Sequence, residues 1–219
     1  MYIPEHFRVP DHVDAIAFMR ANPFAILISS APSSTPASSN DDSPFATHLP
    51  VFVGESAEHL VLRGHVAKAN PHWRYLEQNP QCLTIFHGPH AYVSASNYTT
   101  RENVPTWNYG AVHAYGNARV FASPEELQGV LHQLIGTFEP AYAEQWASFS
   151  ESYRERMLSH IVGFEIAVSK IEAKFKLSQN RTKEEQTNVI ASLGKAEDTA
   201  ISRVSRLMRE QGLGAKDPK

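Results

Sequence analysis

The chain has 219 residues, of which 42% are apolar and 20% charged, the composition of a folded protein long enough to bury one sizeable core. A net charge of −3, with histidine neutral, gives no general attraction for nucleic acid, and a single cysteine, Cys82, excludes an intrachain disulfide and fits a reducing compartment. Pro4, Glu5, His6 and Arg8 interrupt any signal-peptide core, and no apolar run is long enough to span a bilayer, so the expected location is cytoplasmic, with no membrane partner.

In chain order, Asp11 is placed to cap a helix reaching about Ala21, with Val13, Ile16, Ala17 and Arg20 at helical spacing and Pro23 as its stop. Phe24 to Ser29 reads as a buried strand. Ala31 to Pro44, rich in Ser and Pro, lacks the apolar residues to order itself and reads as a long mobile hairpin loop. Phe45 to Val53 is the next strand, Glu55 to Glu58 a turn, and His59 to Arg63 the return. Pro71 to Gln78 is a short helix. Gln81 to His87 and Ala91 to Ser94 read as two strands around a Gly88-Pro89 turn, followed by a polar loop from Asn97 to Val104. Trp107 to Phe121 is long and rich in β-formers, with Gly116 as a bulge or bend.

Ser123-Pro124-Glu125-Glu126 opens a helix to about Ile135 with the pattern of a capping box, and a second helix is expected over Ser152 to Ser159. Gly163 to Phe175 reads as the last strand. Thr182 and Glu185 form another capping box for a helix ended by Gly194. Glu197 to Gln211 then forms an amphipathic helix with Ile201, Val204, Leu207 and Met208 on one stripe. Strands dominate the middle without βαβ alternation, which favours an antiparallel barrel with added helices over a doubly wound sheet.

Three groups of residues carry candidate chemistry. Gly64-His65-Val66-Ala67-Lys68-Ala69-Asn70-Pro71-His72-Trp73 follows a strand and opens a helix. Glycine permits close approach, and Arg63, Lys68, His65 and Asn70 offer charge and donors, so with Gly64 they form a candidate phosphate cradle, Lys68 foremost. The same residues also suit a plain strand-to-helix turn with a solvated lysine. Trp107 sits at a strand start, able to cover a ligand ring or to pack in a core or interface. Gln179 and Asn180 lie in a polar run between Lys176 and Arg181, where locally they read only as a loop before a helix cap. Eleven histidines include no HxxxH or HExxH pattern and no cysteine pair, so no metal site is expected. Cys82, beside Leu83, Ile85 and Phe86, reads as a buried structural thiol.

Taken together, Met1-Tyr2-Ile3-Pro4, Ala46-Thr47-His48-Leu49-Pro50, the Gly64 stretch, Phe86-His87-Gly88-Pro89-His90-Ala91-Tyr92-Val93-Ser94, Val104-Pro105-Thr106-Trp107-Asn108-Tyr109 with Ala111-Val112-His113-Ala114-Tyr115-Gly116, and Lys176-Leu177-Ser178-Gln179-Asn180-Arg181 follow a recognisable order. Over Met1 to about Leu193 the chain resembles the FMN-binding negative transcriptional regulators of the PaiB type. The resemblance implies a mainly β (α+β) fold, a split β-barrel of the FMN-binding type with peripheral and C-terminal helices, acting as a homodimer. It implies a barrel domain over 1–175, with 31–44 as a flexible inserted loop. Residues 176–219 then form a cofactor-closing segment and helices of the same unit. By resemblance Thr47, His48 and Leu49 meet the flavin ring, Gln179 and Asn180 close the site, and Trp107 covers the ring from the partner subunit. The chain departs from the family at Asn97, where a tryptophan is usual, which implies a more open or more polar pocket.

The family implies transcriptional repression, yet no helix-turn-helix is evident. The only basic concentration is residues 176–219, with nine Lys/Arg, six Asp/Glu and a net of +3, leaving −6 on the rest. Arg203, Arg206 and Arg209 at i, i+3 and i+6 would give sequence-blind, salt-sensitive DNA contacts, or form a solvated face. A competing function is an FMN-dependent oxidoreductase acting on a small molecule with NAD(P)H. A third is haem binding or degradation, kept open by the many histidines.

Overall fold

The computed structural model describes residues 1–30, 43–55 and 60–214. The expected mobile loop from Ala31 to Pro44 and the turn from Glu55 to Glu58 fall largely outside the described residues. A 3-10 turn at Glu5–Phe7 leads to α1 (His12–Ala21), followed by β1 (Phe24–Ser29), β2 (Phe45–Pro50), β3 (Phe52–Glu55), β4 (Leu60–Ala67), α2 (His72–Gln78) and β5 (Gln81–Val93). Then come β6 (Thr106–Phe121), α3 (Pro124–Phe138), α4 (Tyr142–Ser148), α5 (Glu151–Leu158), β7 (Ile161–Lys176), α6 (Lys183–Gly194) and α7 (Thr199–Glu210). The seven strands form a sheet in the order β2-β1-β5-β6-β7-β4-β3. The registered pairs are antiparallel, among them Thr47 opposite Leu27 and Arg63 opposite Glu165.

The chain condenses into two compact units, one of Met1–Phe18, His87–Val112 and Glu172–Lys219, the other of Met19–Phe86 and His113–Ile171. In the first, the Phe18 ring packs 4.9 Å from Phe175 and fills the space beside Gly88 and Gly110, where any Cβ would collide with it. In the second, Phe121, Leu127, Val130 and Leu158 form a buried cluster against Leu131 and Ile161.

Several expectations are corrected. The buried face of α1 is Ala15, Phe18 and Met19, while Val13 is 68% exposed. Two stripes share the helical period, and the one carrying the bulkier Phe18 and Met19 goes inward. The strand expected over Phe45 to Val53 breaks at Val51, whose N–H donates to Pro23 O at 2.8 Å, so that β2 pairs with β1 and β3 with β4. No turn interrupts β5 at Gly88-Pro89, because Gly88 lies in extended backbone to admit the Phe18 ring rather than to reverse the chain. The last strand, β7, is longer than Gly163 to Phe175, and α3 continues through Gly136 to Phe138.

Ser123 caps α3 as expected, but Glu126 does not close the box on the backbone. Its carboxylate accepts from the Ser123 hydroxyl at 2.8 Å and from Arg119 at 2.7 Å. The Thr182–Glu185 box at the start of α6 is complete. At α7 the cap is Asp198, whose side chain accepts from the Ala200 N–H at 2.8 Å, and Val204 and Met208 are buried as the stripe requires. Helix α4, with its buried Trp146, had no clear signal in the sequence.

Candidate cofactor site

In the unit of Met19–Phe86 and His113–Ile171, β2 and the turn after β4 are joined through side chains. Asn70 Oδ1 accepts from the His72 N–H at 3.0 Å, and Asn70 Nδ2 donates to Thr47 Oγ1 at 3.2 Å. The His72 ring lies 2.8 Å from the same Thr47 hydroxyl through Nδ1 and 3.0 Å from Ser29 Oγ through Nε2. His72 is fully buried, and burial pulls its pKa down to about 4. It is therefore neutral at physiological pH, with one ring nitrogen donating and the other accepting. Thr47 and Asn70, both expected at the cofactor, are thus brought together, and His72 joins them without having been singled out. Its only sequence trace is its place two residues after Asn70.

The neighbouring candidates divide by strand alternation. Thr47 and His48 point to opposite faces of β2, His48 outward, and Leu49 is buried. On β4 Arg63 donates to Glu165 at 2.6 Å, so its charge already has a partner. A Cβ on Gly64 would lie 2.7 Å from the Phe164 ring and 3.1 Å from Pro50 O, so the glycine accommodates core packing rather than the approach of an anion. His65 is half-buried, and burial lowers its pKa. Lys68 is exposed on a turn pinned by its own N–H to His160 O at 2.7 Å and by Trp73 Nε1, which donates to Lys68 O at 3.0 Å. Among the described residues no carboxylate pairs with it.

In the unit of Met1–Phe18, His87–Val112 and Glu172–Lys219, Trp107 is 52% exposed and flanked by His90 and Tyr92 at ring distances of 5.9 and 6.1 Å. Lys176 Nζ donates to Thr106 Oγ1 and, at 2.5 Å, to Trp107 O, fixing the start of β6 to the end of β7. Gln179 does not present its amide outward. Its Oε1 accepts from Leu177 N at 2.7 Å and its Nε2 donates to Phe175 O at 2.5 Å, holding the loop in which Ser178 adopts φ +66°. Asn180 is exposed and lines a cavity of about 200 Å³ together with Tyr98, Thr106, Lys176 and Arg181. Asn97 donates to Ser94 O at 3.0 Å across the 3-10 turn Ala95–Asn97.

A family profile described as "Putative FMN-binding domain" matches residues 1–170. The Bacillus subtilis protein named protease synthase and sporulation protein PAI 2 is 37% identical over 96% of this chain and 98% of its own length. The chain belongs to the PaiB-type FMN-binding family. An uncharacterised Emericella nidulans protein is 30% identical over 89% of this chain and 90% of its own. The flavocytochrome Anf3 of Azotobacter vinelandii superposes with a TM-score of 0.56 at 13% identity, covering 80% of this chain and 72% of that one. A FAD and heme binding protein of Mycobacterium smegmatis superposes at 0.54 and 14% identity, covering 77% and 73%. At such identities the likeness is one of fold, and it agrees with the mainly β split barrel expected from the sequence.

FMN is the cofactor of this PaiB-type family member, and the donor set suits it. Lys68, on a short turn, is a cation that no carboxylate pairs with among the described residues. The Thr47 hydroxyl is a polar group held in place by the Asn70 amide and the His72 ring. Among the described residues no group of three or more His, Cys, Asp or Glu could hold a metal ion, and no helix is long and apolar enough to cross a membrane.

Proposed function

We propose that this protein holds FMN at a homodimer interface, with Lys68 neutralising the phosphate and the Thr47–Leu49 strand meeting the ring. The observation that carries this reading is the Asn70–Thr47 bond. It ties the turn bearing Lys68 to the strand assigned to the flavin and leaves the lysine exposed beside it. Asn180 and the half-exposed Trp107 are assigned to the ring and its edge, Trp107 acting from the partner subunit. His48 and Leu49 contribute through backbone. His65 stands at the margin of the phosphate region, with Arg63 and Gly64 shaping β4 beneath it. Gln179 acts by holding the Asn180 loop.

The test is FMN titration followed by flavin absorbance and fluorescence on the full chain. Lys68→Ala lowers affinity by about tenfold or more with an unchanged melting temperature. Parental affinity in that variant would remove the phosphate assignment. Light scattering at known concentration gives the mass of a dimer, and a monomer that retains flavin would refute the interface.

Bound FMN would supply two-electron redox chemistry, with NAD(P)H as the natural donor. The enzymatic reading is therefore an FMN-dependent oxidoreductase, tested by NAD(P)H oxidation in the presence of FMN. The regulatory reading rests on the exposed faces of Arg203, Arg206 and Arg209 along α7, although Arg206 already pairs with Glu210 at 2.9 Å. Salt-dependent retardation of duplex DNA tests it. The haem reading has no support beyond the histidine count.

A further inference from the structure

The cavity of about 200 Å³ in the unit of Met1–Phe18, His87–Val112 and Glu172–Lys219 carries charge without its complement. Two cations, Lys176 and Arg181, line it together with the His6 imidazole, and among the described residues no Asp or Glu does. Among the described residues their hydrogen bonds run to neutral acceptors, Lys176 Nζ to Thr106 Oγ1 and Trp107 O and Arg181 Nη1 to Asn103 Oδ1 at 2.7 Å, while the carboxylate of Glu185, outside the cavity wall and taken up by Thr99 and Thr182, offsets part of the Arg181 charge from a distance. The Arg181 guanidinium stacks over the Tyr98 ring at 3.9 Å, and Tyr98 is 8% exposed. Neutral partners fix where the charges stand but do not cancel them. Burial first, then the charges of Lys174 and Arg181, lowers the pKa of Lys176, the behaviour of a cation lacking a nearby anion.

A second cavity, of about 220 Å³, makes the contrast. Its arginines, Arg63 and Arg119, meet Glu165 and Glu126 at 2.6 and 2.7 Å, so that site is neutralised from within and asks for no ligand.

The rest of the first cavity limits what fits. Phe7, Val104 and Pro105 give it an apolar wall, and Asn180 adds an amide. Pockets for drug-sized ligands begin at roughly 300 Å³, so the space is too small for a nucleotide. A bare inorganic anion would leave the apolar wall unused. We propose that this cavity binds a small organic carboxylate, its oxygens between Arg181 and Lys176 and its apolar body against Phe7, Val104 and Pro105. A planar guanidinium held by a ring stack is pre-set for two parallel hydrogen bonds to such a group. The inference stands on this unit alone and does not need FMN.

Calorimetric titration of the full chain with benzoate, at constant ionic strength, tests it. The neutral benzamide and inorganic phosphate serve as comparison ligands. Benzoate binds saturably and raises the melting temperature, benzamide does not bind, and phosphate binds more weakly. Arg181→Gln lowers benzoate affinity by about tenfold or more and Arg181→Lys by less, while Arg119→Gln, in the other cavity, changes nothing. Absence of benzoate binding, equal binding of benzamide, or full affinity in folded Arg181→Gln overturns the proposal, and tighter binding of phosphate than benzoate overturns the choice of carboxylate. Benzoate binding by a chain whose Lys68→Ala variant keeps parental FMN affinity would remove the phosphate assignment and leave this inference standing.

Discussion

His72 Nδ1 lies 2.8 Å from Thr47 Oγ1 while Nε2 lies 3.0 Å from Ser29 Oγ. One imidazole therefore holds a hydroxyl on β2, a hydroxyl on β1 and the start of α2 in fixed relation, and it does so in its neutral form. Burial keeps the folded-state pKa at about 4 against 6.5 for the free group. Between those values the unfolded chain binds the extra proton and the folded chain does not. The contribution of His72 to stability is thus complete above pH 6.5, falls as pH drops from 6.5 towards 4, and is level below that. His65, also lowered by burial, acts in the same direction. The melting temperature is expected to fall across this window, and His72→Gln should flatten part of the fall while lowering stability at pH 7. An unchanged acid slope in that variant would show that the ring titrates normally.

Cys82 is buried, its thiol donates to Gly116 O at 3.6 Å, and burial pushes its pKa up to about 12. The thiolate is the reactive form. Native protein should therefore be inert to a disulfide reagent at pH 8, with one equivalent reacting only after denaturation. Fast reaction of the native protein would contradict the burial.

Two glycines should respond in opposite directions. A Cβ on Gly116 would lie 2.3 Å from the backbone oxygen of Ala167, which cannot move aside, so Gly116→Ala should destabilise by about 2–3 kcal/mol. Gly129 lies inside α3 with nothing within 4 Å of its Cβ position, so Gly129→Ala should stabilise by roughly 0.5–1 kcal/mol. Denaturant unfolding measures both, and equal effects would mean that neither packing nor helix propensity governs the pair.

The hydroxyl of Tyr98 is buried and has no hydrogen-bond partner among the described residues. Tyr98→Phe removes that group and keeps the ring under Arg181. An unsatisfied buried hydroxyl costs on the order of 1 kcal/mol or more, so the variant should be at least as stable as the parent. A clear loss of stability would reveal a partner for the hydroxyl in solution.

The sequence carries the strand-dominated order and the starts of α3, α6 and α7, because capping and alternation are local. It misplaces what distant packing decides. Which stripe of α1 goes inward depends on the gap left beside Gly88 and Gly110, and the continuity of β5 depends on the same Phe18 ring. At the site, residue types indicate that Thr47 and Asn70 are polar groups near a turn, but their mutual bond is visible only once β2 folds back. Gln179 and Asn180 look alike in the sequence, yet the backbone of their own loop claims the amide of one and leaves the other facing outward. Arg63 reads as a free cation until Glu165 appears opposite it across the sheet, a hundred residues later in the chain.

Asn108 donates to Ser178 Oγ at 3.0 Å and to Met208 Sδ at 3.7 Å, Ser205 donates to Ile190 O at 2.9 Å, and Gly214 N–H donates to Gln186 Oε1 at 3.0 Å. The last helix is therefore fastened at two positions, Ser205 and Met208, and the chain after it at a third, Gly214, by contacts that do not depend on the exposed link at Lys195. A protease that cuts there would leave two fragments that migrate together in native buffer and separate only in denaturant. Cleavage at that link would go unnoticed in any measurement of native size.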